Sequence, residues 1–404
     1  MTIPASRKLW LGYAVAMLWL YVLLWPLIGI KPEGLEFATS TEIWAKLAVV
    51  SAILLALWQL KQRGVFDFVS RPAQAASQVF TKAADRVPTW IWLVFVLAGA
   101  LVFPFLTERY AHDVAISVLV YICLGLGLNV VVGMAGLLDL GYIAFYGVGA
   151  YTYALLSVHF GLSFWLCLPL AGAFAAVAGC IIGYPTLRMR GDYLAIVTLG
   201  FGEIVRIVLN NWMSLTNGPN GILGIKAPGV YWWQDGKVEH IWLGSLEQLY
   251  YVILGLAVCT VVAVYRINNS RIGRAFEAVR EDQTAAELMG VNTLGIKLLA
   301  YAMGAIFGGL AGAFFASRMR FVSPESFTFI ESAMVLAMVV LGGMGSIPGV
   351  ILGALALIAL PEIFRGFELY RMFVFGGVMA MMMLFRPKGL WPAKRMGVRS
   401  EEKD

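Results

Sequence analysis

Residues 124–156 read LGLGLNVVVGMAGLLDLGYIAFYGVGAYTYALL, and this run is the clearest indication of the class of fold. It contains one charged side chain, Asp139, whereas about a quarter of the residues of a soluble protein are charged. The whole chain follows the same pattern, because 60% of its 404 residues are apolar and 13% are charged. So few polar residues cannot cover the surface of a water-soluble globule, which excludes a cytosolic enzyme and a disordered chain. The composition indicates a polytopic membrane protein.

Long apolar runs recur along the chain, and each approaches the ~20 residues that a helix needs to cross a bilayer. Because several runs are short or interrupted by Gly and Pro, we expect roughly 10–12 transmembrane helices in an all-α, polytopic membrane helix bundle. The predicted spans lie near residues 9–30, 43–60, 90–106, 113–132, 140–160, 164–184, 194–215, 249–265, 297–316, 332–346, 348–365 and 370–386.

The distribution of basic residues predicts the orientation of these spans. With the N-terminus inside the cell, 20 of the 30 Lys and Arg residues fall in inner segments and eight in outer segments. Lys and Arg concentrate on the cytoplasmic side of membrane proteins. We therefore expect a multi-pass protein of the inner (plasma) membrane with both termini in the cytoplasm. The basic net charge of +6 then reflects topology and does not indicate a nucleic-acid partner.

The polar segments between the runs predict the domain organisation. The segment before the third span is polar with interspersed apolar residues, so it is either an amphipathic connector on the membrane surface or a plain linker. The predicted parts are an N-terminal transmembrane helix pair (1–60), the cytoplasmic connector (61–89), a glycine-rich core (90–390) with an outer loop (216–248) and an inner loop (266–297), and a cytoplasmic tail (391–404).

Catalytic and metal-binding motifs are missing from the sequence. It has no nucleotide-binding P-loop, no HExxH and no GxSxG, so nothing predicts catalytic residues, a metal site or ATP hydrolysis by this chain. A membrane enzyme acting on lipids or isoprenoids would need a cluster of His, Asp or Cys at one membrane face. The three histidines, His112, His159 and His240, are scattered and argue against that alternative.

The inner loop 266–297 reads RINNSRIGRAFEAVREDQTAAELMGVNTLGIK. Its composition predicts one short helix from Arg274 to Asp282. Thr284 and Glu287 have the spacing of a capping box that would begin a second helix, and Gly290 stands where a left-handed residue would end it. A pair of amphipathic helices suits either a groove on a soluble partner or the membrane surface, and composition leaves both open.

Residues 273–292, GRAFEAVREDQTAAELMGVN, resemble the ATPase-contacting loop of the ABC permeases for branched-chain amino acids. Four further segments resemble the same family in the same order: 124–156, 187–211, 216–222 and 321–354. The resemblance implies a transmembrane subunit of an ATP-driven importer, paired with a homologous permease subunit. It further implies two ABC ATPases, which would bind the ATP and Mg²⁺ so that this chain binds no cofactor, and a periplasmic binding protein that delivers the amino acid. The residues that it assigns to ATPase coupling are Arg274, Glu277, Ala278, Arg280, Glu281, Asp282, Ala285 and Gly290.

Polar residues and glycines inside the spans are candidates for the translocation path. Charges at membrane depth are costly and therefore often functional. Glu203 and Arg206 are three residues apart and share a helix face, so they either serve the path or brace the bundle as an ion pair. The glycines predict one helix break near Gly133 and Gly136, where Asp139 would either cap a half-helix or line the path, and a second near Gly343 and Gly345. Broken helices would offer polar termini to the head of an amino acid, although glycines also permit close helix packing. The candidates are Asn129, Gly133, Gly136, Asp139, Tyr142, Glu203, Arg206, Gly343 and Gly345.

The main alternative function is a secondary amino-acid transporter driven by an ion gradient. Such a transporter needs titratable or ion-coordinating groups near the middle of the membrane, and only Asp139 and Glu203 qualify. Because Glu203 has a ready partner in Arg206, the sequence favours the importer subunit.

Overall fold

The computed structural model describes residues 89–186, 189, 191–234, 237–363 and 389–391. The chain divides into two units, Met1–Leu97 and Ala98–Asp404, and nearly all of the described residues belong to the second. The predicted helix pair, nearly all of the connector, the last span (370–386) and nearly all of the tail lie outside the described residues and stay predictions.

Helices make up most of the described part of the chain, as the apolar runs predict. One of them, α2, continues without interruption into a π-helix at Asn129–Met134, and α12 continues into a second at Leu355–Ala359. The α-helices are α1 Thr89–Leu106, α2 Arg109–Leu128, α3 Ile143–His159, α4 Phe164–Thr186, α5 Asp192–Asn211, α6 Met213–Thr216, α7 Leu246–Asn268, α8 Arg271–Glu281, α9 Gln283–Leu288, α10 Thr293–Met319, α11 Phe329–Gly342, α12 Ile347–Ala354 and α13 Leu360–Ile363.

Six helical segments of the described residues are long and apolar enough to cross a membrane. They confirm the all-α, polytopic membrane bundle, and their ends fall within four residues of the predicted spans, except that the last segment begins eight residues earlier than predicted, at Pro324. The predicted span 140–160 corresponds to the shorter α3, and the described part of the span 348–365 consists of α12, a π-helix and α13 in direct succession. The six segments are Arg109–Met134, Phe164–Thr186, Tyr193–Asn211, Leu246–Asn268, Thr293–Met319 and Pro324–Gly342.

Two small antiparallel sheets lie in the segments predicted to be outside the cell. Strand β1 (Ile222–Leu223) pairs with β4 (Phe321–Val322), and β2 (Gly229–Gln234) forms a hairpin with β3 (Lys237–Trp242). A short 3₁₀-helix precedes β1 at Gly218–Asn220, and another follows β4 at Pro324–Ser326. The pairing of β1 with β4 places the loops after α5 and after α10 on the same side, as the predicted topology requires.

Glycines bring the backbones of the central helices into direct contact. A Cβ atom at Gly149 of α3 would overlap the backbone of Gly309 on α10, and a Cβ at Gly312 of α10 would overlap the carbonyl oxygen of Tyr146. Helix α4 approaches the same helix where Gly309 meets Ala175. Small residues permit such close approach in membrane proteins, where packing replaces the hydrophobic effect between helices.

Candidate coupling surface and translocation path

Helix α8 is anchored to the bundle by its first residues and by its apolar face. The Ser270 hydroxyl accepts hydrogen bonds from the backbone N–H groups of Ile272 and Gly273, at 3.1 and 3.2 Å, and thereby caps the helix. Phe276 and Val279 are buried in the protein core. The helix begins at Arg271, three residues before the predicted start. Its apolar face packs on its own bundle, so the membrane is not needed to cover it.

The start of α9 differs from the prediction. Asp282, and not Thr284, caps the helix, because its carboxylate accepts the N–H groups of Thr284 and Ala285 at 2.8 and 3.0 Å. A charged acceptor binds helix N–H groups more strongly than a neutral hydroxyl. The predicted capping box is therefore wrong, and the Glu287 carboxylate instead accepts a hydrogen bond of 2.6 Å from Thr293 at the start of α10.

The end of α9 confirms the role predicted for Gly290. Its φ of 84° lies in the left-handed region that favours glycine. The N–H of Gly290 donates to the Glu287 carbonyl at 2.9 Å, and the N–H of Val291 donates to the Ala286 carbonyl at 3.0 Å. This pair of bonds is a Schellman motif, so α9 ends at a fixed point and the chain turns into α10.

A buried lysine fastens the helix pair to the long central helix. Lys297, in the first turns of α10, is nearly inaccessible to solvent and donates a hydrogen bond of 2.7 Å to the Gln283 side chain of α9. Together with the bond between Thr293 and Glu287, this contact ties α9 to α10. Movement of the helix pair is therefore expected to act on the bundle directly.

The exposed face of α8 and α9 carries seven of the eight residues assigned to ATPase coupling. They are Arg274, Glu277, Ala278, Glu281, Asp282, Ala285 and Gly290. Leu288 and Met289 follow on the same tip and are each 84% exposed. We call this set of nine residues the coupling surface. Two large apolar side chains beside charged ones, away from the apolar spans, are typical of a surface that another protein covers.

Arg280, the eighth residue, points the other way. Its guanidinium donates a hydrogen bond to the carbonyl oxygen of Gly133, and the stem of its side chain lies against Gly136. Its contact with an ATPase stays a prediction. Phe276 and Arg280 are four residues apart and share a helix face, so the burial expected of the phenylalanine could have indicated where the arginine points.

The break predicted near Gly133 and Gly136 is present. Helix α2 widens into the π-helix at Asn129–Met134, and the chain then runs without helix or strand to α3. Gly136 has a φ of 71°, which a residue with a side chain rarely adopts. We call residues 129–142 the break segment.

The second predicted break, near Gly343 and Gly345, lies beside the first. Helix α11 ends at Gly342 and α12 begins at Ile347. The fully buried Asn129 accepts a hydrogen bond of 2.8 Å from the N–H of Gly345. The two glycine-rich segments are therefore joined by a direct bond, and these candidates pack inside the subunit.

The sequence suggests Asp139 as the cap of a half-helix, but in the structure it does not cap α3. It is buried, and one carboxylate oxygen accepts a hydrogen bond of 2.9 Å from the N–H of Gly141 two residues later. The first N–H of α3, at Ile143, donates instead to the Ser332 hydroxyl of α11 at 3.0 Å. Segment 135–142 lies outside the six spans, and burial raises the pKa of Asp139 from its ordinary 3.8 to about 6, while the Gly141 N–H opposes this rise.

Tyr142 is also part of the interior. Its ring is fully buried, and its hydroxyl donates a hydrogen bond of 2.9 Å to the Gly304 carbonyl of α10. The break segment is thus fixed at Asn129 to the turn before α12 and at Tyr142 to α10. The hydroxyl of Thr198, which accepts from the N–H of Leu140 at 3.1 Å, adds a contact with α5. Neutral hydroxyls such as those of Ser332 and Thr198 carry no recognisable sequence signal, so these partners could not have been found from the sequence.

Glu203 and Arg206 form the ion pair that their spacing predicts. The guanidinium Nε of Arg206 lies 2.9 and 3.0 Å from the two carboxylate oxygens of Glu203. The side chains are 38% and 31% exposed, respectively, and they stand on α5, the least buried of the six spans. These two candidates face outwards from the subunit, whereas most of the others are buried.

No group of three or more His, Cys, Asp or Glu residues that could hold a metal ion occurs within the described ranges.

Comparison with known proteins agrees with this architecture. The family model described as the permease component of the branched-chain amino acid transport system matches residues 110–385. The high-affinity branched-chain amino acid transport system permease protein LivM of Escherichia coli (strain K12) is 49% identical over 320 residues, which cover 76% of this chain and 75% of that protein. LivM of Salmonella typhimurium is 48% identical over the same shares of the two chains.

A more distant relative is the E. coli permease protein LivH of the same kind of transport system, which is 25% identical over 249 residues, 59% of this chain and 79% of its own. No solved structure is detectably similar to the chain. The match to the family model over most of the chain, together with the close similarity to LivM, leads to one conclusion. The chain belongs to the family of branched-chain amino acid transport permeases, as a LivM-type multi-pass membrane protein.

Proposed function

We propose that this chain is a transmembrane permease subunit of an ATP-driven importer for branched-chain amino acids in the inner membrane. It forms the translocation path with a homologous permease subunit, and a periplasmic binding protein delivers the amino acid. Two cytoplasmic ATPases bind ATP and Mg²⁺ and dock on the coupling surface. Both termini lie in the cytoplasm. The similarity to LivM and LivH, two permease proteins named for the same kind of transport system, supports the pairing.

The coupling surface is the observation that carries this proposal. Phe276 and Val279 are already buried against the bundle, so the apolar face of α8 is not free to insert into the membrane. Leu288 and Met289 at the end of α9 are nevertheless exposed, as are the charged residues Glu281 and Asp282 that precede this helix. A soluble partner that covers these residues accounts for both the apolar and the charged side chains.

The ion pair on α5 supports a location of the path beside this helix. A charged group at membrane depth is costly in contact with lipid and is usually covered by protein or water. Glu203 and Arg206 are partly exposed on the least buried span, so we place them against the second permease subunit and the path. A guanidinium and a carboxylate side by side match the carboxylate and ammonium groups of an amino acid.

The test is purification of the tagged chain from its native membrane, followed by leucine uptake in proteoliposomes that contain the purified complex. We expect two P-loop ATPases and a second hydrophobic permease to accompany the chain. The double substitution Leu288→Asp and Met289→Asp should remove the ATPases and lower uptake, because the docking face becomes acidic. The control is Leu223→Asp, which alters a residue 70% exposed in β1 on the opposite side and should leave the ATPases bound.

The same assay tests the ion pair. The double exchange of Glu203→Gln and Arg206→Gln should lower uptake while the ATPases remain bound. A tagged chain that purifies without ATPases, and whose leucine uptake survives depletion of ATP while an ion gradient is kept, would contradict the proposal. That result would favour the transporter driven by an ion gradient.

A further inference from the structure

We propose that Arg280 is a positioning residue that transmits movement of the coupling surface to the break segment and through it to α5. This inference rests on the proposed function, since it concerns how ATPase docking moves the bundle. It changes the role that the sequence assigns to Arg280, from contact with the ATPase to contact inside the subunit.

The first step is the bond between Arg280 and Gly133. Gly133 stands in the last turn of the continuous helix Arg109–Met134, where carbonyl groups lack partners within the helix. The guanidinium of Arg280 donates to that carbonyl. A cation at the C-terminus of a helix also interacts favourably with the helix dipole. Helix α8 is therefore joined to the end of α2 by a polar bond as well as by the packing of Phe276.

The second step is the lack of free space around this bond. A Cβ at Gly136 would come within 2.8 Å of Arg280 Cγ, and a Cβ at Gly133 would overlap the side chain of Asn129 and the N–H of Gly345. The break segment therefore lies in direct contact with α8 on one side and with the turn before α12 on the other. A displacement of α8 cannot be absorbed by empty volume and must move the break segment, because packed interiors resist compression.

The third step is the contact between the break segment and α5. A Cβ at Gly141 would overlap the Thr198 carbonyl, and one at Gly202 would lie 3.0 Å from Gly141 Cα. The Thr198 hydroxyl accepts the N–H of Leu140 at 3.1 Å. Glu203 follows Gly202 directly on α5. A continuous series of contacts thus leads from the coupling surface to the ion pair that we place at the path.

The test compares Arg280→Gln with Arg271→Gln in the purified complex of the chain with its co-purifying subunits. Arg271 is on the same helix, is exposed and does not belong to the coupling surface, so it is the matched control. For Arg280→Gln we expect ATP hydrolysis to be retained while leucine uptake falls about tenfold, a size typical of energetic coupling between sites. For Arg271→Gln the ratio of uptake to hydrolysis should stay as in the unmodified complex.

A second measurement follows hydrogen exchange in residues 135–142 with and without ATP. In the unmodified complex the exchange should change with nucleotide, and Arg280→Gln should abolish that change, which a purely structural role would not do. If Arg280→Gln is not recovered from the membrane, Arg280→Lys keeps the stem and the charge but loses the planar fork of donors. It should lower the ratio of uptake to hydrolysis by a smaller factor.

Two results would overturn the inference. One is an unchanged ratio of uptake to hydrolysis, with an unchanged nucleotide response, in the Arg280 variants. The other is loss of the ATPases from the Arg280→Gln complex, which would assign Arg280 to docking. Both differ from failure of the proposed function, in which the unmodified chain itself would purify without ATPases.

Discussion

Asp139 is the buried carboxyl group of the break segment. One of its oxygens accepts the N–H of Gly141, and the other has no hydrogen-bond partner among the described residues. Burial disfavours the charged form of a carboxyl group, so the folded protein keeps this proton to a higher pH than the unfolded chain. At the residue scale, the break segment therefore contains a site at which stability depends on pH.

We predict that Asp139→Asn stabilises the protein more at neutral than at acidic pH. With a folded-state pKa of about 6 against an ordinary 3.8, the unfolded chain binds fewer protons, so stability falls as pH rises from about 4 to 6. Below about pH 4 both states are protonated and nothing is lost. For a fully buried group, a rise in pKa of about two units corresponds to a loss of stability on the order of 3 kcal/mol at neutral pH. Asparagine keeps the acceptor for Gly141 and avoids this penalty.

The measurement is the midpoint of thermal unfolding in detergent at a series of pH values for both proteins. The gain from Asp139→Asn should grow across the acidic range and then level off. A gain for Asp139→Asn that is the same at all pH values would mean that burial does not raise the pKa of this carboxyl group.

At the scale of the elements, the break segment and α5 are joined where Gly141 meets Thr198 and Gly202. We predict that Gly141→Ala destabilises the protein by about 1–3 kcal/mol, because the added methyl group overpacks a filled contact. Gly200→Ala on α5 is the control, since a Cβ there meets no atom within 4 Å. The control should be neutral or slightly stabilising, because alanine favours helix more than glycine does.

Thermal unfolding of the two variants in detergent checks this prediction. A destabilisation of Gly200→Ala as large as that of Gly141→Ala would show that helix flexibility, and not the contact with the break segment, determines the effect.

The element scale also separates what could be predicted from what could not. The spans could be predicted because apolar length is a direct property of the sequence, and the role of Gly290 could be predicted because a left-handed helix end favours glycine. The π-helix at Asn129–Met134 could not be predicted, because these residues have no feature that distinguishes them from an ordinary helical turn. The direction of Arg280 depends on the rotation of α8 about its axis, and the signal for that rotation in the sequence is the burial expected of Phe276, four residues earlier.

For the molecule as a whole, the orientation rests on the count of basic residues and on the pairing of β1 with β4. We predict that Arg271→Cys, on α8 but outside the coupling surface, reacts with a membrane-impermeant maleimide only after the membrane is opened, whereas Leu223→Cys reacts in intact spheroplasts. Both side chains are exposed, so a difference in labelling reports the side of the membrane.

The exposed Cys259 and the partly buried Cys180 are first replaced by alanine to remove background labelling. Labelling of both introduced cysteines from the same side would invalidate the topology, because the coupling surface and β1 must lie on opposite faces.

The glycine contacts among α3, α4 and α10 have a mechanical consequence. Where backbone touches backbone, as at Gly149 and Gly309, no flexible side chain lies between the helices to change rotamer and permit sliding. These three helices are therefore expected to turn as one stiff block during each transport cycle. Bending would be concentrated at its edges, where side chains such as Tyr142 and Lys297 join α10 to the break segment and to α9, so those contacts set the direction and the amplitude of the movement.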